Sequence, residues 1–356
     1  MEASPIDAVI FAPLAPILGV LLFWFIQLVT IESEKFLLSK IRPKHESFCR
    51  FTNFLGIFFQ TVCHALGLTV TKSGISDFYI SVDYGRVAPK KEKKGIFEWI
   101  SNAFLFIGPF FIPALLLLIC LYFLMSGGFE IVTPSQLLEL KYTFGEQITT
   151  FGASLYAFSN GFFSFLINID LLHPAHFGFL VLMIFLGMGM RPSYIGKEKH
   201  ERVDMFYDLK NIGLLIQHKP LYLIIFFAIA YLFFYISFWL GQNWYVALFA
   251  MLGWLSIISI LSLIISDMIL LLIKITDGLP GKWKVFPFAT MPVSYVLARV
   301  LFFYFPIDFT KPVSILILLL STITITYVLL KRKSNRFKTE RDIKLLKKKS
   351  KGEKDE

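Results

Sequence analysis

The amino-acid sequence predicts an all-α polytopic membrane protein with about eight transmembrane helices and a short β-hairpin between the second and third. Three observations carry that prediction. Hydrophobic residues make up 56% of the 356 residues, and the 40 Phe among them exceed what a water-soluble core of this length requires. The apolar residues gather into runs of about 20, the length that a helix rising about 1.5 Å per residue needs to cross the hydrocarbon layer. Lys and Arg collect beside those runs and at the end of the chain, as they do in the cytoplasmic loops of membrane proteins.

The first run, 8–30, follows Met1–Asp7, which has two acids, no Lys or Arg and no small-residue cleavage site. It is expected to be a retained helix and not a signal peptide. The second is FTNFLGIFFQTVCHALGLTV, residues 51–70, with Gln60, Cys63 and His64 in its second half. Next comes ISDFYISVDYGRV, 75–87, whose apolar and polar residues alternate before Pro89 and a Lys run. A period of two predicts a short hairpin or edge strand. Further runs lie at about 100–125, 177–192, 220–241, 244–274, 285–306 and 312–330. Between the third and fourth, 136–170 is amphipathic and interrupted by Gly145, Gly152 and Gly161, so it is expected to lie along the interface or dip into it. Four regions follow: an N-terminal helix and loop (1–50), a core (51–213), a C-terminal four-helix region (214–330) and a basic tail (331–356), expected as a solvated anchor or disordered segment.

Charge sets the expected orientation. The tail carries twelve basic residues, 71–99 and 191–219 carry six each, and 126–176 carries only Lys141. With eight spans, both termini and both basic loops fall on the cytoplasmic side of a cell membrane and 126–176 falls outside. One loop disobeys: 31–50, placed outside, has five basic residues. The net charge of +10 therefore reads as attraction to membrane lipids and not to nucleic acid. Cys49, Cys63 and Cys120 are too few and too scattered for a disulfide framework or a CxxC zinc site. No Walker A loop, dinucleotide fingerprint or serine elbow is present. Nor are there paired broken helices in matching halves, the mark of an inverted-repeat transporter.

The order of the elements carries a further reading. An apolar helix has a polar cluster near its cytoplasmic end. A hairpin follows it, then a helix with WISNAFLFIGP running into GPFFIP, then a helix ending in the Pro-Ser turn of Arg191-Pro192-Ser193-Tyr194-Ile195-Gly196. Over about residues 51–213 this order resembles the three-helix core of site-2-protease-like intramembrane zinc metalloproteases. That family carries His-Glu-x-x-His on its first core helix. Two His at i and i+4 bind Zn²⁺, and the Glu beside the first activates the metal-bound water. The matching positions here are Gln60, Thr61, Val62, Cys63 and His64, so only the second histidine survives. The family's third ligand is an Asp in a later turn. The matching turn holds Tyr194 and has no carboxylate until Glu198. An amide oxygen is a poor zinc ligand, and Thr cannot act as general base at neutral pH.

The resemblance thus implies a catalytically inactive homologue, a pseudoprotease with a degenerate site at Gln60, Thr61, His64 and Tyr194. No catalytic residue, metal or cofactor is expected, although zinc is expected in active relatives. The retained groove and edge strand would bind or scaffold other membrane proteins. Two other classes stand beside it. One is a zinc enzyme with substituted ligands drawn from Cys63, His64 and Glu198 or Asp204. The other is a transporter or channel using the intramembrane charges Asp267 and Arg299, which by helix rise are too far apart in depth to pair directly. Gln60, Cys63 and His64 also read as plain interhelical hydrogen-bond partners. Asp170, His173 and His176 have a spacing that three metal ligands on a helix could use, but Pro174 interrupts it, and an interfacial helix start is the reading adopted.

Overall fold

Among the described residues, seven helices long and apolar enough to cross a membrane, and one two-stranded antiparallel hairpin, make up most of the fold. The computed structural model describes residues 6–124, 143–190, 205–305 and 307–352. It divides into two units, Met1–Ser164 with Pro174–Leu270, and Phe165–His173 with Leu271–Glu356. The class read from the sequence, an all-α multi-pass membrane protein with a hairpin after the second long helix, is the observed one.

In the first unit, α1 (Leu14–Ile41) does not stop at residue 30 as the hydropathy pattern suggests. The stretch IESEKFLLSKI contains good helix formers and no breaker, so the helix continues until Pro43 is near. Only 42–45 connects it to α2 (Glu46–Val70). This corrects the 31–50 loop: Lys35, one of its five basic residues, is buried within α1, while Lys40, Arg42, Lys44 and Arg50 stay at or beside the short connector.

The hairpin pairs β1 (Ile75–Ile80) with β2 (Gly85–Pro89), matching Ile80 to Gly85 and Phe78 to Val87. Its tip is tied by Ser81, whose backbone N–H and hydroxyl both donate to the Tyr84 carbonyl at 2.9 Å. α3 (Ile96–Leu124) runs antiparallel to α2. Gly67 meets Ser101 and Gly108 meets Cys63, so the two backbones approach closely along a small-residue seam.

α4 (Phe144–Ile167) passes through Gly152 and Gly161 as one continuous helix. Its buried stripe, Gln147, Phe151, Ser154, Leu155 and Phe158, recurs at helical spacing. Phe151 fills the space left by Gly19 of α1, and Phe158 stacks on Trp254 at 5.1 Å. The stripe packs against α1 and the helix that carries Trp254, and the glycines do not interrupt the helix as the sequence suggested.

α5 (Pro174–Gly189) has 16 residues, about 24 Å, and is the one predicted span shorter than the hydrocarbon layer. α6 (Met205–His218) and α7 (Pro220–Trp239) follow, then α8 (Trp244–Thr276). α8 runs beside α1 in the same direction. Tyr245 donates to the Pro13 carbonyl near one end, Gln27 and Ser259 both donate to the Phe110 carbonyl in the middle, and Ser33 bonds Asp267 near the other.

In the second unit, α9 (Phe286–Tyr304) packs against α10 (Thr310–Gly352). The basic tail continues the last span as helix through Gly352 instead of a disordered segment. Its Lys, Arg, Leu and Glu content favours helix, and no Gly or Pro intervenes between Pro312 and that end.

Candidate functional site

Gln60 and His64 lie one turn apart on α2, so their side chains leave the helix on one face. Both line a cavity of about 400 Å³ together with Thr61, Asn53, Asp83 to Val87 of the hairpin, and Leu105 of α3. The sequence grouped Gln60, Thr61 and His64, and the fold brings all three to one hollow. Tyr194, with Glu198 and Asp204, lies outside the described residues. The preceding helix ends on another face of α2: Gly189, at the end of α5, meets Phe59 and Leu55, where an added Cβ would stand 3.0 and 3.1 Å from their side chains, and neither residue lines the cavity.

The hairpin folds back along α2. Asn53 Nδ2 donates to the Val82 carbonyl at 2.8 Å, Arg50 pairs with Asp83 at 3.5 Å, and at the other end Lys91 N–H donates to Ser73. From Asn53 to Thr71 the helix rises roughly 27 Å, so the strands lie at the depth of the span. Strand backbone at that depth is tolerated only where it is buried in protein or borders a wet cavity. The hollow beside β2 supplies such a border. Gly85 of β2 presses on Thr61 so closely that no Cβ fits between them. The Thr61 hydroxyl is turned along its own helix and donates to the Ile57 carbonyl at 2.6 Å.

These groups do not fit a catalytic zinc. One imidazole, a neutral amide and a hydroxyl committed to the helix backbone do not make the three strong donors such a site requires. Cys63 is fully buried against Gly108 of α3 and does not line the cavity. Among the described residues no group of three His, Cys, Asp or Glu could hold a metal ion, and the Asp170, His173 and His176 spacing assembles none.

The intramembrane charges are arranged in a way the sequence did not reveal. In the second unit, Arg299 Nη2 donates to Asp170 Oδ2 at 3.0 Å and Nη1 to Thr310 at 3.2 Å. Tyr295 donates to the other Asp170 oxygen at 3.2 Å and accepts from Leu171 N–H. Asp170 is thus the ion-pair partner of Arg299, 129 residues away, and caps the turn that leads to Pro174 through its bond from Leu172 N–H.

In the first unit, Asp267 accepts from Ser33 and faces Glu34 of α1. Glu34 is 1% exposed, and its Oε1, like Asp267 Oδ1, has no hydrogen-bond partner among the described residues. Sequence reasoning missed Glu34 because it was assigned to a loop. The available signal was its position seven residues after Gln27, on the same helical face.

No known protein family, curated protein or solved structure matches the chain.

Proposed function

We propose that this multi-pass membrane protein is a pseudoprotease of the site-2-protease-like kind, a disabled intramembrane metalloprotease core that binds or scaffolds other membrane proteins. The observation that carries the reading is the hollow itself. Gln60, Thr61 and His64 face it together, and a hairpin forms one wall. A core that has lost its metal ligands keeps a groove and a strand with an unpaired backbone edge. β1 is exposed along most of its length. An unwound segment of a client membrane protein would add its backbone to that edge. In the orientation that suits the basic loops, the hollow opens toward the cytoplasmic side of a cell membrane and both termini are cytoplasmic.

The decisive experiment is spatial. In a chain with Cys49, Cys63 and Cys120 replaced, cysteines at positions 64 and 194 should form a disulfide under mild oxidation. Absence of the crosslink, with spin labels at these sites more than about 15 Å apart, too far for two ligands of one metal, would remove the ancestry on which the reading rests. Client binding is tested separately with a photocrosslinker at Gln60. It should capture a membrane-protein segment that a crosslinker at the exposed, non-lining Phe58 does not.

A second reading, a polar path for ions, is favoured by one observation, the buried Glu34 facing Asp267 across α1 and α8. Cation or proton flux in liposomes that is lost in Glu34→Gln would put that reading first.

A further inference from the structure

A second cavity, of about 340 Å³, lies where α3 begins and α6 ends. It is separate from the Gln60 hollow and shares no lining residue with it. Its wall grades along α3: Glu98 and Trp99 at one end, Asn102 in the middle and Phe106 at the other. α6 supplies the apolar Leu214 and also His218, whose Nδ1 is bonded to the Leu214 carbonyl at 2.8 Å, and Lys219, the residue before α7, brings a positive charge to the same cavity. From Glu98 to Phe106 the helix rises roughly 12 Å, about the distance from a lipid head group into the first carbons of its chains. The position suits a lipid too. Two apolar spans, α3 and α7, begin here, with Lys93, Lys94 and the indole of Trp99 beside them, the residue types that mark the membrane interface. Glu98 and Lys219 are exposed at its mouth.

We infer that this cavity binds a phospholipid whose head group carries both a phosphate and a primary ammonium. Charge complementarity selects that occupant. Lys219 meets the phosphate, while Glu98 and the Asn102 amide oxygen accept hydrogen bonds from the ammonium. The acyl chains continue past Phe106 and Leu214. A purely anionic head would place its negative charge near Glu98, and a quaternary ammonium has no N–H to donate. Tyr222, whose ring lies 6.2 Å from Trp99 and 5.6 Å from the Lys219 ammonium, holds that lysine at the mouth.

The test uses the full chain, purified in detergent and stripped of lipid, with short-chain phosphatidylethanolamine, phosphatidylcholine, phosphatidylglycerol and inorganic phosphate titrated separately. Bound lipid is counted by native mass spectrometry and affinity is read from the thermal shift. The ethanolamine lipid should bind at least about fivefold more tightly than the other three. Glu98→Gln should reduce its affinity to that of the choline lipid, and Lys219→Gln should weaken both zwitterionic lipids about equally. Equal affinity for all three lipids, binding of phosphate alone at the same affinity, or an ethanolamine preference unchanged in Glu98→Gln would each overturn the assignment. Both side chains are exposed, so the variants should fold, and unchanged circular dichroism and elution volume verify this.

Discussion

Replacing Gly85 with alanine should destabilise the protein by about 1–3 kcal/mol, the usual cost of overpacking, because Gly85, though exposed itself, lies against the buried Thr61. The backbone itself poses no obstacle, because Gly85 is not among the residues with positive φ. The cost comes from contact alone: a Cβ there overlaps the Thr61 hydroxyl and stands 3.0 Å from an Ile57 methyl. Thr61→Ala removes the overlapping atom. That change strands no partner, since the Ile57 carbonyl still accepts the helical N–H of residue 61, and it costs about 1 kcal/mol for the buried methyl lost. In the double variant the methyl introduced at position 85 occupies the vacated space. The two changes should therefore couple by about 1–2 kcal/mol, with the double variant more stable than the sum of the singles predicts. Unfolding titrations in mixed micelles, followed by tryptophan fluorescence, measure all four corners of the cycle. Additivity within about 0.5 kcal/mol would show that β2 does not rest on Thr61. The hollow at Gln60 and His64 would then lose its wall.

Removing one partner of the Asp170 and Arg299 pair should cost more than removing both. The side chains are 18% and 23% exposed, so Arg299→Met is expected to cost about 1–3 kcal/mol, below the full buried-pair penalty, while the Asp170→Leu/Arg299→Met double variant recovers part of it. Equal losses for single and double variants in the same unfolding assay would refute the pairing. Elemental analysis of the purified protein should find no stoichiometric zinc, because one histidine cannot supply the ligands of a catalytic site. About one zinc per chain, lost in His64→Ala, would contradict this. Cysteines introduced at 93, 199 and 340 should be labelled from the cytoplasmic side and one at 141 from the outside. Labelling that puts the two chain ends on opposite faces would break the proposed orientation.

Much of the architecture was legible in the sequence because the bilayer is a solvent with a local rule. Every backbone group inside it must be satisfied within its own helix or ladder, so a run of about 20 apolar residues is already nearly a helix. The hairpin was equally local, with ISDFYISVDYGRV carrying a period of two into a turn at Ser81 and Tyr84. The one-face arrangement of Gln60 and His64 also follows from spacing alone. Where the sequence failed, the competing signal was again local. Hydropathy ended α1 at residue 30, but helix propensity carried it to Ile41, and glycines in α4 did not break a helix whose stripe is held by Gly19 and Trp254.

Tertiary structure alone decided which polar groups meet. Arg299 finds Asp170 across 129 residues, Glu34 meets Asp267 only because α1 and α8 lie side by side, and the hairpin folds back along α2 until Gly85 touches Thr61. Hydropathy measures how each segment partitions into lipid, one segment at a time. Which faces of those segments then pack together depends on side chains far apart in the chain, and no local pattern encodes that pairing.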